Sequence, residues 1–301
     1  MINVFGHLNP DSDSVCSALV TADWLSHQGK AAKAWRLGKL NPETTFILEQ
    51  AGRNAPDLLE DDLTGKPVWL VDFSYFEQGP SSLAAANILG IYDHHNLGTV
   101  TTKSPLEMIV KPVGSTATLL WMLIAQEDSV TLSQSQATLL LGAVLSDTVC
   151  LTSSTTTETD KIAVEALFAL SQLDRETFTQ ALIDAKTDIR GYTAQELLEK
   201  DAKIFKITDK HIQISQLEVN NRTDIASVLP ELLQGLTTYA EQKDGVDVMV
   251  LMLTNIDTRE SQLYFSHDLL GQPSPIILEN ALSRKKDALP WLITEVTARA
   301  K

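Results

Sequence analysis

The sequence predicts an α/β protein, with a mainly parallel sheet in its N-terminal part and a smaller α/β domain at its C-terminal end. Three observations carry this. From Ile2 to Tyr92, short apolar runs alternate with helical patterns, the mark of βαβ units. A series of apolar helical segments follows, and the texture of the chain changes near residue 186. The length of 301 residues suits two domains, each able to bury a core.

Ile2 to Phe5 reads as a buried strand that stops at Gly6-His7-Leu8-Asn9-Pro10. Asp13 and Ser14 are good N-cap residues for a helix running toward Gly29. Ala31 to Leu37 reads as a second strand, and Pro42 to Gln50 as a helix with proline in its first turn. Val68 to Val71 and Ile88 to Tyr92 read as further strands, with a short helix over Ser81 to Ala86 between them. Thr116 to Ala125, Ser133 to Leu145, Asp160 to Leu170 and Arg175 to Ile183 have apolar residues at helical spacing. The boundary is placed so that one domain covers 1–186 and the other 193–301, with the polar segment 187–192 as linker. Beyond it, Ile204 to Ile207 and His211 to Leu217 read as strands, Ile225 to Ala240 as a helix, and Val246 to Leu253 and Gln262 to Phe265 as a strand pair.

With 44% hydrophobic and 21% charged residues, the composition is globular and excludes a disordered chain. A net charge of −15 argues against a nucleic-acid partner, since phosphate backbones are held by clustered Lys and Arg. It leaves room for a small anion wherever metal supplies the positive charge. Two cysteines, Cys16 and Cys150, are too few for a disulfide framework and read as buried thiols. No basic, apolar leader opens the chain, and no stretch reaches the roughly 18 apolar residues of a membrane span. The expectation is a soluble, cytoplasmic protein with no membrane partner.

Four acidic or histidine-bearing motifs sit where these elements end: His7, Asp11 and Asp13 after the first strand; Asp72 after Val71; Asp93-His94-His95 after Tyr92; and Asp147 at the end of a very apolar helix. In an open parallel sheet, ligands bind beyond the carboxyl ends of the strands, so three motifs converge on one edge and a helix delivers the fourth. Singly, some have a plain reading: His7 a surface or capping residue, Asp11 and Asp13 turn or capping residues, Asp72 a turn; Asp93-His94-His95 is harder to dismiss, and Asp147 in an apolar setting is costly unless paired or metal-bound. Together they favour a metal site. Carboxylates mixed with imidazoles suit Mn²⁺, Co²⁺, Fe²⁺ or Zn²⁺, and their number suits two ions sharing a carboxylate. Near the C-terminus, Ser283-Arg284-Lys285-Lys286 is either a solvated basic patch or an anion clamp, Arg giving a planar fork and Lys a point charge.

These motifs, with Pro112-Val113-Gly114-Ser115-Thr116-Ala117-Thr118 and Ser146-Asp147-Thr148, occur in the order and spacing of the DHH phosphoesterase superfamily. Within it the sequence most resembles the family II, manganese-dependent inorganic pyrophosphatases, over essentially the whole chain including a C-terminal DHHA2-like domain. The resemblance implies two Mn²⁺ per subunit, with Co²⁺ or Mg²⁺ as substitutes. One would be held by His7, Asp11 and Asp72, the other by Asp13, Asp72, His94 and Asp147. It further implies His95 as a hydrogen-bond donor or acid toward phosphate, and Lys203, Arg284 and Lys285 as substrate contacts. The implied reaction is hydrolysis of pyrophosphate to two phosphates by a metal-bridging hydroxide, and the implied assembly is a homodimer. The alternatives are a related hydrolase of short polyphosphate or another small phosphoanhydride or phosphoester, and an inactive paralogue that binds a phosphorylated metabolite. Two departures bear on substrate. Asp72 is followed by Phe73-Ser74-Tyr75-Phe76 where the family has His-Asn-Glu, and Thr152 stands where it commonly has Lys.

Overall fold

Four buried residues, apolar except for Asn3, make the first strand, β1 (Ile2–Phe5), and the helix α1 (Ser12–His27) packs beside it with most of its length buried. In the computed structural model, which describes residues 1–127 and 130–299, the chain divides into two units, Met1–Ala185 and Lys186–Lys301. The first continues through β2 (Ala32–Arg36), α2 (Pro42–Gln50), β3 (Asp57–Leu58), β4 (Pro67–Val71), β5 (Asn87–Asp93) and β6 (Glu107–Val110). Four helices follow: α3 (Thr116–Ile124), α4 (Gln134–Asp147), α5 (Glu158–Ser171) and α6 (Arg175–Lys186). The six strands lie in the order β3-β2-β1-β4-β5-β6, and every ladder is parallel. The order reverses between β1 and β4, where an open parallel sheet has its ligand crevice.

Both faces of this sheet are covered, which explains the continuous apolar runs. Val4, Trp69, Val71 and Tyr92 join a core built with α1, α3, α4 and α5. Phe5, Val68, Leu70 and Ile91 point to the other face and join Leu63, Phe73 and Leu83 from the connecting loops. The alternation of Val68 and Leu70 with Trp69 and Val71 is the period of two that a strand imposes.

The second unit is a separate, mixed sheet. Its elements are α7 (Ala194–Glu199), β7 (Ala202–Ile207), β8 (Lys210–Val219), α8 (Leu229–Gln242), β9 (Val248–Asn255), β10 (Glu260–Phe265), β11 (Ile276–Glu279) and α9 (Leu289–Arg299). The order is β11-β10-β9-β8-β7, with β8 and β9 parallel and the other pairs antiparallel. Only the parallel pair needs a long connection, and α8 supplies it. Met249, Leu251 and Leu253 face α7 and α8, whereas Val250 and Met252 share a core with Leu292 and Val296 of α9.

Several expectations are corrected. The segment Ser81 to Ala86 forms only a 3₁₀ turn, Leu83–Ala85, because so short a helix cannot repay its nucleation. The helix expected from Ile225 begins at Leu229, with Pro230 in its first turn, where its missing N–H is harmless. Cys16 is buried as expected, but Cys150 is only half-buried. The sequence reading does not contain β3, β6, α7, β11 and α9.

Candidate metal centre

The centre begins with a close approach. A Cβ on Gly6 would lie 2.5 Å from Cβ of Ser14, so only glycine lets the end of β1 close on the start of α1. His7 follows directly. Its Nδ1 lies 2.8 Å from the Leu8 carbonyl, and its Nε2 lies 3.3 Å from both Asp11 Oδ2 and Asp72 Oδ2. The expected cap shifts by two residues. Asp11, not Asp13 or Ser14, caps α1, its Oδ1 accepting from Ser14 N at 2.9 Å while Oδ2 stays with His7.

Asp13 is fully buried in the first turn of α1. Its Oδ2 accepts from Thr116 N at 2.6 Å, and its Oδ1 from Ala117 N at 2.9 Å, Ser115 Oγ at 3.0 Å and Ser17 Oγ at 3.1 Å. The carboxylate therefore sits on the N-terminus of α3, where free N–H groups and the helix dipole favour an anion. Asp160, buried beneath, accepts from Gly114 N at 2.9 Å and from Thr118 Oγ1 at 2.6 Å, and so holds that N-terminus in place.

Asp72 directly follows β4 with φ at 68°, a left-handed conformation that non-glycine residues rarely keep outside functional sites. Its N–H donates to Tyr92 O at 2.8 Å, its Oδ2 accepts from Ser14 Oγ at 2.8 Å, and its Oδ1 accepts from Thr116 Oγ1 at 3.2 Å. His94 leaves β5 with Nδ1 3.0 Å from the Val113 carbonyl. Its Nε2 lies 3.4 Å from Asp72 Oδ1, 3.6 Å from Asp147 Oδ2 and 4.0 Å from Asp13 Oδ2. Asp147 comes from the end of α4, ahead of three consecutive left-handed residues, Val149, Cys150 and Leu151, at φ 47°, 52° and 67°. His95 stacks edge-on to His94 at 4.1 Å, and its backbone N and Nδ1 lie 3.0 Å and 2.9 Å from Oδ1 of buried Asp93.

Three groups of donor atoms result, each spanning less than 4.8 Å: His7, Asp11 and Asp72; Asp13, Asp72, His94 and Asp147; and Asp72, His94 and His95. The residues fit a metal ion on this structure's own terms. Nε2 of His94 is buried without a hydrogen-bond partner, and Nδ1 of both His7 and His94 meets a carbonyl, the usual orientation of a ligating imidazole. The mixed carboxylate and imidazole set suits Mn²⁺.

Electrostatics point the same way. Burial opposes the charged form of His94, but Asp72 and Asp13 outweigh it and raise its pKa to about 9. Burial likewise works against His7, and Asp11 and Asp72 override it, leaving its pKa well above the usual imidazole value. Burial and the neighbouring Asp72 push Asp13 up to about 7. Burial would raise Asp72 too, yet its contacts with His7 and His94 hold it well below the usual carboxylate range. At neutral pH these shifts favour protonated imidazoles on His7 and His94, and a divalent cation would have to displace those protons.

The other candidates lie in the second unit. Lys203 is half-buried on β7, opposite Ile214 of β8. Arg284 is buried in a single π turn, Arg284–Ala288, with Nη2 2.9 Å from Asp201 Oδ1. The Lys285 side chain lies outside the described residues.

Of the two departures, Phe73 is buried beside Phe5, with ring centroids 6.3 Å apart, in the core on the sheet's loop-covered face. Ser74 Oγ accepts from Gly98 N at 3.0 Å, and the Ser74 carbonyl accepts from Val100 N at 3.0 Å, tying this segment to the chain beyond His95. Thr152 Oγ1 donates to the Val149 carbonyl at 2.6 Å. Sequence reasoning read Ser14 only as a helix cap and gave no separate role to Ser115, Thr116 or Asp160. The Ser14 spacing from Asp11 and the Gly114-Ser115-Thr116 motif were the available signals.

A parallel sheet with clustered aspartates and histidines beyond its strand ends, followed by a mixed-sheet unit, is the two-domain DHH class. Residues 1–144 match the DHH family, N-terminal domain, and residues 180–294 match the DHHA2 domain. A relative from Staphylococcus carnosus, assigned as a manganese-dependent inorganic pyrophosphatase, is 32% identical over 298 residues, 95% of this chain and 96% of its own. One from Listeria welshimeri with the same assignment is 32% identical over 309 residues, 98% of each chain. A crystal structure from Methanococcus jannaschii, assigned to the family II inorganic pyrophosphatases, superposes with a TM-score of 0.86 at 31% identity, covering 99% of this chain and all of that one. An exopolyphosphatase-related protein from Bacteroides fragilis shares the fold, with a TM-score of 0.51 at 14% identity. The chain belongs to the family of manganese-dependent inorganic pyrophosphatases.

Proposed function

We propose that the chain hydrolyses inorganic pyrophosphate to two phosphates at a centre of two Mn²⁺ ions. The observation that carries this reading is the division of Asp72 between two ligand groups. Its Oδ2 lies 3.3 Å from His7 Nε2, and its Oδ1 lies 3.4 Å from His94 Nε2. His7, Asp11 and Asp72 would hold one ion, and Asp13, Asp72, His94 and Asp147 the other. When bound, such a pair lowers the pKa of water and neutralises phosphoryl oxygens. The chain's own residues do the rest. Asp93 holds His95 through Nδ1, which orients the ring for its role as hydrogen-bond donor or acid toward phosphate. Lys203, Arg284 and Lys285 supply positive charge for a substrate that a chain of net charge −15 would otherwise repel.

In this reading, residues 1–186 are the metal-binding catalytic domain, 193–301 the substrate-clamp domain and 187–192 the linker. The open edge strand β6, with Met108 exposed, supports a homodimer. A soluble anionic substrate, and the lack among the described residues of a helix able to cross a membrane, support a cytoplasmic location.

The test is phosphate release by Mn²⁺-loaded protein from pyrophosphate, tripolyphosphate and an aryl phosphate at equal concentration, repeated with Co²⁺ and Mg²⁺. Preference for pyrophosphate is expected, because Phe73 turns into the core instead of replacing a polar group at the centre. Preference for tripolyphosphate or the ester would keep the metal centre but move the activity to a sibling hydrolase, with Ser74 and Thr152 as the positions responsible.

A further inference from the structure

Arg284 is only 5% exposed, yet its Nε is buried with no hydrogen-bond partner. The π turn that carries it is closed by Asp287, whose Oδ2 accepts from Ser283 N at 2.8 Å and Leu282 N at 3.0 Å. From there the side chain reaches the start of β7. Nη2 donates to Asp201 Oδ1 at 2.9 Å, and Nη1 donates to the Asp201 and Ile214 carbonyls. One end of the fork, Nη1 and one N–H of Nη2, is therefore engaged. The Nε–H and the remaining Nη2–H lie along one edge of the planar group, the edge that matches two oxygens of a phosphate. Leaving a buried donor unmatched is costly unless a ligand takes it up.

Asp201 itself is held in a left-handed conformation at φ 46°. Desolvation would raise its pKa, but Arg284, then Lys203 and Lys186, hold the carboxylate below the usual range. Asp201 thus holds Arg284, one of the predicted substrate contacts, two residues before Lys203 on the same stretch of chain.

We infer that Asp201 is the positioning residue of the phosphate clamp: it fixes one end of the Arg284 guanidinium and leaves the Nε–Nη2 edge for two oxygens of one phosphate group. The inference rests on the pyrophosphatase reading, in which Arg284 contacts substrate. The competing role is plain neutralisation of a buried charge, which any nearby carboxylate would perform.

Two variants of the full-length protein separate these roles. Asp201→Glu keeps the charge but moves the oxygen by a methylene, whereas Asp201→Asn keeps the acceptor in place without the charge. Pyrophosphate KM and kcat, calorimetric binding of non-hydrolysable imidodiphosphate, Mn²⁺ content and the thermal midpoint are measured for both, with Arg284→Ala as reference. Asp201→Glu is expected to raise KM and weaken imidodiphosphate binding about tenfold, with kcat and Mn²⁺ content within about twofold of wild type; Asp201→Asn is expected to recover most of the loss. Wild-type affinity in Asp201→Glu, beside lost affinity in Arg284→Ala, would reduce Asp201 to charge neutralisation. Tighter binding in Asp201→Asn would make it a competitor of the substrate and overturn the inference. Undiminished affinity in Arg284→Ala, with hydrolysis intact, would remove Arg284 from the clamp, and the inference with it, while leaving the pyrophosphatase reading standing.

Discussion

Asp72 belongs to two groups of candidate donor atoms because a carboxylate has two oxygens and this one is prevented from turning. Ser14 Oγ holds Oδ2, Thr116 Oγ1 holds Oδ1, and the backbone N–H is tied to Tyr92. Replacing Asp72 by Ala should therefore lower Mn²⁺ content at both sites and cut phosphate release by at least about 1000-fold. Elemental analysis beside the rate assay checks this, and retention of near-wild-type rates would end the shared-carboxylate account. Ser14→Ala leaves all ligands in place but frees Oδ2, so Mn²⁺ affinity should fall by about 10- to 100-fold. Isothermal titration of the metal-free variant gives the number directly. Asp11 shows how far single residues are readable. Sequence alone offered capping or metal binding; in the structure one oxygen caps α1 through Ser14 N, and the other faces His7 and stays compatible with a metal.

At the scale of elements, the centre exists because three strands end together and two helices begin beside them. β1, β4 and β5 are adjacent or next-adjacent in the sheet, so the loops after Phe5, Val71 and Asp93 meet without long excursions. The start of α1 must come within contact of Gly6 for Ser14 to reach Asp72. Gly6→Ala would place a methyl group 2.5 Å from Ser14 Cβ. The expected cost is about 1–3 kcal/mol of stability, read as a lower urea midpoint, together with weaker Mn²⁺ binding from the displaced Ser14 hydroxyl. A variant as stable as the wild type with unchanged metal affinity would show that the two elements have room to separate. Two of the elements that escaped sequence reading share a cause. β3 has two exposed residues and β6 two exposed and two half-buried ones, so no apolar alternation marks either.

For the molecule as a whole, the metal-free centre makes stability depend on pH. His94 has a folded pKa of about 9 against an unfolded value of 6.5, so its contribution is fully present below 6.5 and is lost as pH rises through 9. Asp13, raised from 3.8 to about 7, acts in the same direction at lower pH, because its ionised form is the less favoured one in the fold. Asp72 has the opposite sign: held well below 3.8, it stabilises throughout the neutral range and fails only in acid. The thermal midpoint of the metal-free protein should therefore fall between pH 6.5 and 9. Mn²⁺ requires the same atoms deprotonated, so the gain in midpoint on adding saturating Mn²⁺ should be larger at pH 9 than at pH 6.5. A gain independent of pH would show that the bound ions do not displace these protons.

Much of this was readable in the amino-acid order. The parallel sheet follows from apolar runs alternating with helices, and the candidate metal-binding residues follow from their positions at the ends of those runs. The family motifs complete the set, because strand ends and helix caps are local events that a short stretch of chain specifies. Tertiary structure alone decided which oxygen of each carboxylate is occupied and which hydroxyls and N–H groups hold it. It also decided that Phe73 turns into the core and that Asp201 engages one end of Arg284. Each of these contacts joins residues distant along the chain, as Asp13 with Ala117, Ser14 with Asp72 and Asp201 with Arg284, and is set by how elements pack. Local sequence determines where a side chain is offered; packing determines what it meets.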